Sequence, residues 1–105
     1  MTVVALLSVA LVKEGSMAED VAQAVAALDS YDVAYETNPM GTVIEADDVD
    51  TLLDAVGAAH EAVDAKRVST FLKIDDKRTV DASAGAKVEH VEQELGRAAR
   101  GERKE

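Results

Sequence analysis

The sequence contains no cysteine and no tryptophan, and Pro39 is its only proline. The absence of cysteine excludes disulfide bonds, thiolate catalysis and zinc sites built on thiolates. Aromatic residues make up only 3% of the chain and hydrophobic residues 48%, so the core must consist mainly of valine, leucine and alanine. A chain of 105 residues is long enough for one such core and too short for two. We therefore expect one domain over residues 1–100 and a frayed polar tail over 101–105.

Basic residues are also scarce, since 11 Lys and Arg stand against 21 Asp and Glu and give a formal net charge of −10. Nucleic-acid affinity rests largely on cations that replace condensed counterions, so this acidic balance argues against a DNA or RNA binder. An acidic chain rich in Asp, Ala and Val suits a very salty cytoplasm, where screening shortens the reach of charge repulsion to about 3 Å at 1 M ionic strength. We expect a halophilic source, with an ordinary acidic mesophilic protein as the alternative.

No hydrophobic run is long enough to suggest a membrane helix. The first segment, Thr2 to Val12, is apolar but much shorter than the ~20 residues that a helix needs to cross a bilayer. No signal-peptide pattern surrounds it. These features predict a soluble cytoplasmic protein that does not associate with membranes.

The hydrophobic pattern predicts four strands and three helices in the order β-α-β-β-α-β-α. The near-continuous apolar run from Val3 to Val12 is typical of a strand buried on both faces. The other predicted elements are strands over 33–37, 42–46 and 67–74 and helices over 17–30, 47–65 and from 84 onward. The first six elements match the α+β ferredoxin-like split βαβ sandwich, βαββαβ, to which the chain adds a C-terminal helix.

Two helices carry specific local signals. Ser16 followed by Glu19 has the spacing of a capping box at the start of the first helix. Asp47 and Asp48 are suited to cap the second helix. The stripe that this second helix is expected to bury consists of Val49, Leu52, Leu53, Val56 and Val63.

The predicted fold leaves one sheet face uncovered, because both helices of a ferredoxin-like sandwich pack on the same side. The first strand nevertheless carries apolar residues on both sides. Exposing either set creates a large apolar patch, and pairing of two sheets removes it. The alternative cover is the amphipathic third helix, within one chain or across a subunit boundary. We therefore expect a homo-oligomer.

Two segments carry the hydrogen-bonding groups of a candidate small-molecule site. The first runs from Tyr35 to Glu45 and joins two strands through Asn38-Pro39-Met40-Gly41. The second runs from Phe71 to Arg78, where a β-type run breaks into alternating carboxylates and cations. Together these segments indicate binding rather than catalysis.

With these segments in place, the chain resembles the small thiamine-binding protein family, whose members have a ferredoxin-like fold. The resemblance covers roughly residues 3–91 and rests on Tyr35 with Pro39-Met40-Gly41-Thr42-Val43-Ile44-Glu45, on Asp47-Asp48, and on Lys73-Ile74-Asp75-Asp76 with Arg78. It implies that thiamine or a related pyrimidine binds at a site associated with the subunit interface of a homodimer or homotetramer. Members often have a proline near the end of the first strand, where this chain has Val9-Ala10-Leu11-Val12.

Eight residues form the predicted ligand site: Ser8, Tyr35, Asn38, Thr42, Glu45, Phe71, Lys73 and Asp75. The two neutral polar groups of the hairpin segment, Asn38 and Thr42, are expected to contact the aminopyrimidine edge. A carboxylate, Glu45 or Asp75, is expected to hold the thiazolium cation or a ring nitrogen. Each choice has a structural alternative, as a turn residue, a strand former or a surface carboxylate.

The remaining four site residues also have two possible roles. The aromatic rings of Tyr35 and Phe71 are suited to stack on a pyrimidine, although core packing is the commoner use of such rings. The Ser8 hydroxyl is expected to enter the pocket or to bond with a neighbouring backbone carbonyl. Lys73 is suited to bind a phosphate or to form a surface ion pair with a neighbouring Asp.

Catalytic and metal-binding signals are weak. His60 and His90 lie on predicted helices without a nucleophile pattern or a second His at zinc spacing, and Asp47-Asp48-Asp50 lacks the Gly and Glu of a calcium loop. We expect no catalytic cofactor and no metal site. The predicted function is non-enzymatic binding of thiamine as a carrier, buffer or sensor. The alternatives are a structural or regulatory oligomer with another effector or none, and an acid-base enzyme using Asp75 or Glu45.

Overall fold

The computed structural model describes residues 2–11 and 14–104. Within them the elements are β1 (Thr2–Leu11), α1 (Ala18–Ala27), a 3-10 turn (Leu28–Ser30), β2 (Ala34–Asn38), β3 (Gly41–Ala46), α2 (Val49–Glu61), β4 (Val68–Lys77) and α3 (Ala84–Leu95). The strands form one antiparallel sheet in the order β2-β3-β1-β4. This architecture confirms the predicted ferredoxin-like α+β fold with its additional C-terminal helix.

The central strand β1 organises the sheet because it pairs along both of its edges. It pairs with β3 from Val3 opposite Ala46 to Leu7 opposite Thr42. Its other edge pairs with β4 over the whole described length of both strands. The short strand β2 pairs only with β3 and therefore forms one edge of the sheet.

The core lies between the sheet and the layer formed by α1 and α2. Its buried side chains come from alternate positions of the strands and from one stripe of each helix: Val3, Ala5, Leu7, Ala24, Leu28, Ile44, Ala46, Leu52, Ala55, Val56, Ala59 and Val63. Every member is an aliphatic residue, as the scarcity of aromatics predicts. Five of them are alanines, which let the helices approach the sheet closely.

Side-chain caps occur at α2 and α3, and the cap of α2 is one that the sequence predicts. The Asp48 carboxylate accepts a hydrogen bond from the backbone N–H of Thr51 at 2.7 Å, and this bond lowers the pKa of Asp48. Ser83 caps α3 in the same way, accepting from the Ala86 N–H at 3.2 Å. The predicted capping box of α1 is wrong. Its helix begins at Ala18 with no side-chain cap, and Ser16, one residue too early, accepts a hydrogen bond from the Ala18 N–H at 3.1 Å.

Three other expectations require correction. Helix α2 ends at Glu61 rather than near residue 65. Its Leu53 is 46% exposed, and Ala55 and Ala59 occupy the buried positions instead, because tertiary packing rotates the stripe. Strand β4 continues to Lys77 rather than ending at residue 74, since pairing with β1 holds its polar end in the sheet. The predicted end of β1 at Val12 lies outside the described residues.

A tight turn joins β2 to β3 and depends on glycine. Asn38 closes the turn by accepting a hydrogen bond from the Met40 N–H at 2.8 Å. Gly41 has φ 156°, and a Cβ atom added there would lie 2.7 Å from the carbonyl oxygen of Leu7. Any larger residue must therefore push the hairpin away from the central strand.

Replacing Gly41 with alanine is expected to reduce the free energy of unfolding by about 2 kcal/mol, because the new methyl group collides with the backbone of β1. Urea unfolding followed by circular dichroism measures this change. The matched control is Gly57→Ala at an exposed position of α2, where an added Cβ atom has no neighbouring atom within 4 Å. That control is expected to stabilise the protein by up to about 1 kcal/mol. Equal effects of the two substitutions would contradict the steric argument.

Candidate functional site

One face of the sheet is not covered by α1 and α2, and we call it the open face. Because side chains alternate along a strand, the strand residues between the buried core positions belong to this face. They include Val4, Leu6 and Ser8 on β1, Glu36 and Asn38 on β2, Val43 and Glu45 on β3, and Phe71, Lys73 and Asp75 on β4.

The strand register arranges these side chains in rows across the sheet. One row contains Ala34, Glu45, Val4 and Asp75, and the next contains Glu36, Val43, Leu6 and Lys73. The second row has an apolar centre and charged ends, whereas in the first row Glu45 lies beside Val4 and only the Asp75 end is charged. We call Val4, Leu6 and Val43 the apolar floor, and Glu36 and Glu45 the acidic edge.

A trough in two adjoining parts lies on the open face. The larger part has a volume of about 450 Å³ and extends from the acidic edge to the first turns of α3, where Ala84, Gly85 and Val88 form its wall. The second part, about 390 Å³, extends over Leu6 to Met40, Lys73 and Asp75. Both parts share Val4, Asn38 and Val43, so they form one open-face trough above the apolar floor.

Helix α3 reaches the open face because the segment before it is fixed to β1. The Thr2 hydroxyl, which is buried, accepts a hydrogen bond from the Ala82 N–H at 3.1 Å. The next residue, Ser83, caps the helix, and α3 contacts the sheet mainly at β3. The rest of α3 extends away from the chain's own core, and none of its residues is buried.

A smaller cavity of about 210 Å³ lies at the other corner of the hairpin, between it and the start of α1. We call it the hairpin cavity. Its wall includes Met17, which precedes α1, and Val21 of α1. It also includes Thr37 and Thr42, whose hydroxyl groups form a hydrogen bond with 3.0 Å between the oxygens. These two hydroxyls therefore satisfy part of each other's hydrogen-bonding capacity.

Four of the eight predicted ligand residues lie on the open face and border the trough. Asn38 borders both of its parts, Glu45 the larger one, and Lys73 and Asp75 the smaller one. Ser8 and Phe71 are paired one row further along the open face. Phe71 is 58% exposed, and Ser8 borders the hairpin cavity.

The two remaining predicted residues lie on the helix-facing side of the sheet. Thr42 is only 4% exposed and borders the hairpin cavity. Tyr35 pairs with Ile44 and donates its hydroxyl hydrogen to Asp29 at 2.5 Å. This hydrogen bond, with smaller contributions from desolvation and the Asp29 charge, raises the pKa of Tyr35. Tyr35 also borders the trough, but its hydroxyl is directed elsewhere.

Glu36 and the wall formed by α3 border the trough but were not among the predicted site residues. Glu36 lies two positions before Asn38 on the same strand, so strand alternation was the signal that identifies it. The wall formed by Ala84, Gly85 and Val88 has no comparable signal, because only the tertiary path of the chain brings α3 to the open face.

Among the described residues outside the trough, one histidine makes a structural contact, and the acidic side chains are not arranged as a metal site. His60 on α2 forms a hydrogen bond with the Thr70 hydroxyl at 2.5 Å and so connects the helix to β4. In the part of the chain that the structure describes, no cluster of three or more His, Asp or Glu side chains is placed to hold a metal ion. No helix within 2–11 and 14–104 is long and apolar enough to cross a membrane.

Comparison with known proteins gives consistent matches in sequence and in fold. The sequence model of a family described as thiamine-binding protein matches residues 4–92. A UPF0045 protein of Methanothermobacter thermautotrophicus is 48% identical over 83 residues, which are 76% of this chain and 84% of the relative. The solved structure of the hypothetical protein MJ1052 of Methanocaldococcus jannaschii is 36% identical with a TM-score of 0.78, covering 86% of this chain and 95% of that one.

A more distant structure shares the fold. TM0486 of Thermotoga maritima, provisionally named a thiamine biosynthesis/salvage protein, is 24% identical with a TM-score of 0.74. The match covers 87% of this chain and 99% of that one. At this level of identity the likeness shows the common fold.

Replacing Asp29 with asparagine is expected to lower the pKa of Tyr35 toward the ordinary value of a phenol. The reason is that the substitution removes the carboxylate that accepts the hydrogen bond of the Tyr35 hydroxyl. An ultraviolet absorbance titration in a Tyr31→Phe background measures Tyr35 alone, since the chain has only two tyrosines. The control is Asp32→Asn, which removes a nearby exposed carboxylate. An unchanged titration in the Asp29 variant would refute the contact.

Proposed function

The chain belongs to the thiamine-binding protein family, and on that basis we propose that it binds thiamine or a related aminopyrimidine in the open-face trough. The observation that carries this location is the apolar floor lying directly beside the acidic edge. The combination suits a ligand that is flat, largely apolar and positively charged.

Each part of thiamine has a chemically suitable counterpart in the trough. Its two rings offer flat faces, which the aliphatic side chains of the apolar floor can cover. Its thiazolium ring carries a permanent positive charge, for which Glu36 and Glu45 supply carboxylates. Its aminopyrimidine edge presents donors and acceptors that require a neutral or acidic hydrogen-bonding partner.

Asn38 is placed to be that partner because it borders both parts of the trough. Its side-chain oxygen accepts the hydrogen bond from the Met40 N–H, which fixes the orientation of the amide group. The amide nitrogen then remains as a donor for a ring nitrogen of the ligand. The turn that forms the hairpin thereby also positions a binding group.

We assign the protein a role as a carrier, buffer or sensor in the cytoplasm, with binding and release but no chemical conversion of the ligand. A trough of this kind has shallow walls and wide access, which suits reversible exchange better than the water-excluded site that catalysis requires. Saturable binding without turnover is the behaviour that follows.

We also propose that the protein functions as a homodimer or homotetramer. The apolar side chains Val88, Val91 and Leu95 of α3 are each about half exposed, as is Phe71 on the open face. The radius of gyration is 15.6 Å, whereas a compact chain of this length has about 13 Å. A second copy that packs against α3 and the open face would bury these groups and deepen the trough.

Isothermal titration calorimetry with thiamine is expected to show saturable binding, weakened about tenfold or more by Asn38→Ala and by Glu45→Gln. Each substitution removes a hydrogen-bonding or charged partner from the trough. The control is Glu61→Gln, an exposed carboxylate at the end of α2 on the opposite side of the sheet, which should leave the affinity unchanged. Absence of binding to the unmodified protein would instead favour a structural or regulatory oligomer with another effector.

Replacing Val91 with aspartate is expected to shift the protein toward monomer, because a charge enters the apolar side of α3 that we assign to the subunit interface. Sedimentation velocity measures the distribution of species. The control Gln93→Asp introduces the same side chain on another face of the same helix. A monomeric unmodified protein would contradict the proposed assembly.

A further inference from the structure

We infer that the open-face trough selects the unphosphorylated, cationic form of thiamine over its phosphate esters. This inference rests on the proposed function and concerns the form of the ligand. Thiamine carries one permanent positive charge on its thiazolium ring. Each phosphate group adds between one and two negative charges at neutral pH, so the charge of the site decides which form binds more tightly.

The trough contains more negative than positive side chains. Its larger part is bordered by the carboxylates of Glu36 and Glu45, and no Lys or Arg among the described residues borders it. Its smaller part is bordered by one charge of each sign, Lys73 and Asp75. A cationic ring therefore meets favourable charge in the larger part, and an anionic group meets repulsion there.

The start of α3 is a feature of the larger part that favours an anion. A helix N-terminus carries the equivalent of about half a positive charge. Ser83 already accepts a hydrogen bond from the Ala86 N–H, and the Ala84 and Gly85 backbone borders the trough. Half a charge does not offset the two full negative charges of the acidic edge. The balance at this end of the trough is thus negative.

The remaining cations of β4 and the following turn do not form a phosphate site. Arg78 donates to Asp76 at 3.1 Å, and Asp76 lies on the helix-facing side of β4. Lys77 pairs with Thr2 at the far end of the strand. Lys73 shares its face with Asp75, which lies about 7 Å along the strand. Across the sheet, Lys73 is three strand spacings, about 14 Å, from Glu36, and two spacings, about 10 Å, from the strand that carries Glu45. A phosphate would therefore meet one ammonium group rather than a cluster.

Calorimetric titration with thiamine, thiamine monophosphate and thiamine diphosphate in parallel tests the inference. At ~0.15 M ionic strength the diphosphate is expected to bind at least about tenfold more weakly than thiamine, with the monophosphate between them. Raising the ionic strength to ~1 M should narrow this difference, because the screening length falls from about 8 Å to about 3 Å.

A paired substitution identifies the source of the selectivity. Glu36→Gln combined with Glu45→Gln should bring the dissociation constants of thiamine and its diphosphate closer together, because the repelling carboxylates are gone. The control is Asp54→Asn combined with Glu61→Gln, which changes the net charge equally on exposed positions of α2. The control should preserve the ratio of the two constants.

The outcomes separate the inference from the proposed function. Diphosphate binding as tight as thiamine binding overturns the selectivity and leaves thiamine binding intact. An equal change of the ratio in both double variants overturns the assignment of the selectivity to the trough, because the net charge of the protein rather than the acidic edge is then responsible. Failure of thiamine itself to bind refutes the proposed function and the selectivity together.

Discussion

The structure depends on one constraint, which is that the central strand is apolar on both faces while the two helices of the sandwich cover only one. On the covered side, Val3, Ala5 and Leu7 pack into an aliphatic core. On the other side, Val4 and Leu6 remain at the floor of a trough. The chain places α3 over part of this floor and leaves the rest accessible. An apolar surface that the fold keeps accessible is most simply explained by a ligand or a second subunit.

The hairpin between β2 and β3 determines which polar groups surround that floor. Gly41 allows the turn to lie against the backbone of β1, and the register then places Glu36, Asn38 and Glu45 on the open face. A shift of this register by one residue would exchange these side chains for Thr37 and the other helix-facing groups. The local conformation of a single glycine is therefore coupled to the composition of the candidate site.

The sequence predicts those parts of the fold whose signals are local. The long apolar run of β1, the turn around Pro39 and the cap at Asp48 all occur where the patterns indicate. The sequence alone does not assign Tyr35 to the helix-facing side, because a strand pattern does not specify its partners. Nor does it predict the exposure of Leu53 or the approach of α3 to the open face, since tertiary packing determines both.

The central claim is that the open face, rather than the hairpin cavity, binds the ligand. Nuclear magnetic resonance of the isotope-labelled protein during a thiamine titration tests this claim residue by residue. Binding in the open-face trough should give the largest backbone amide shifts at Val4, Val43 and Glu45. Shifts concentrated instead at Val21 and Thr42, which border the hairpin cavity, would contradict it.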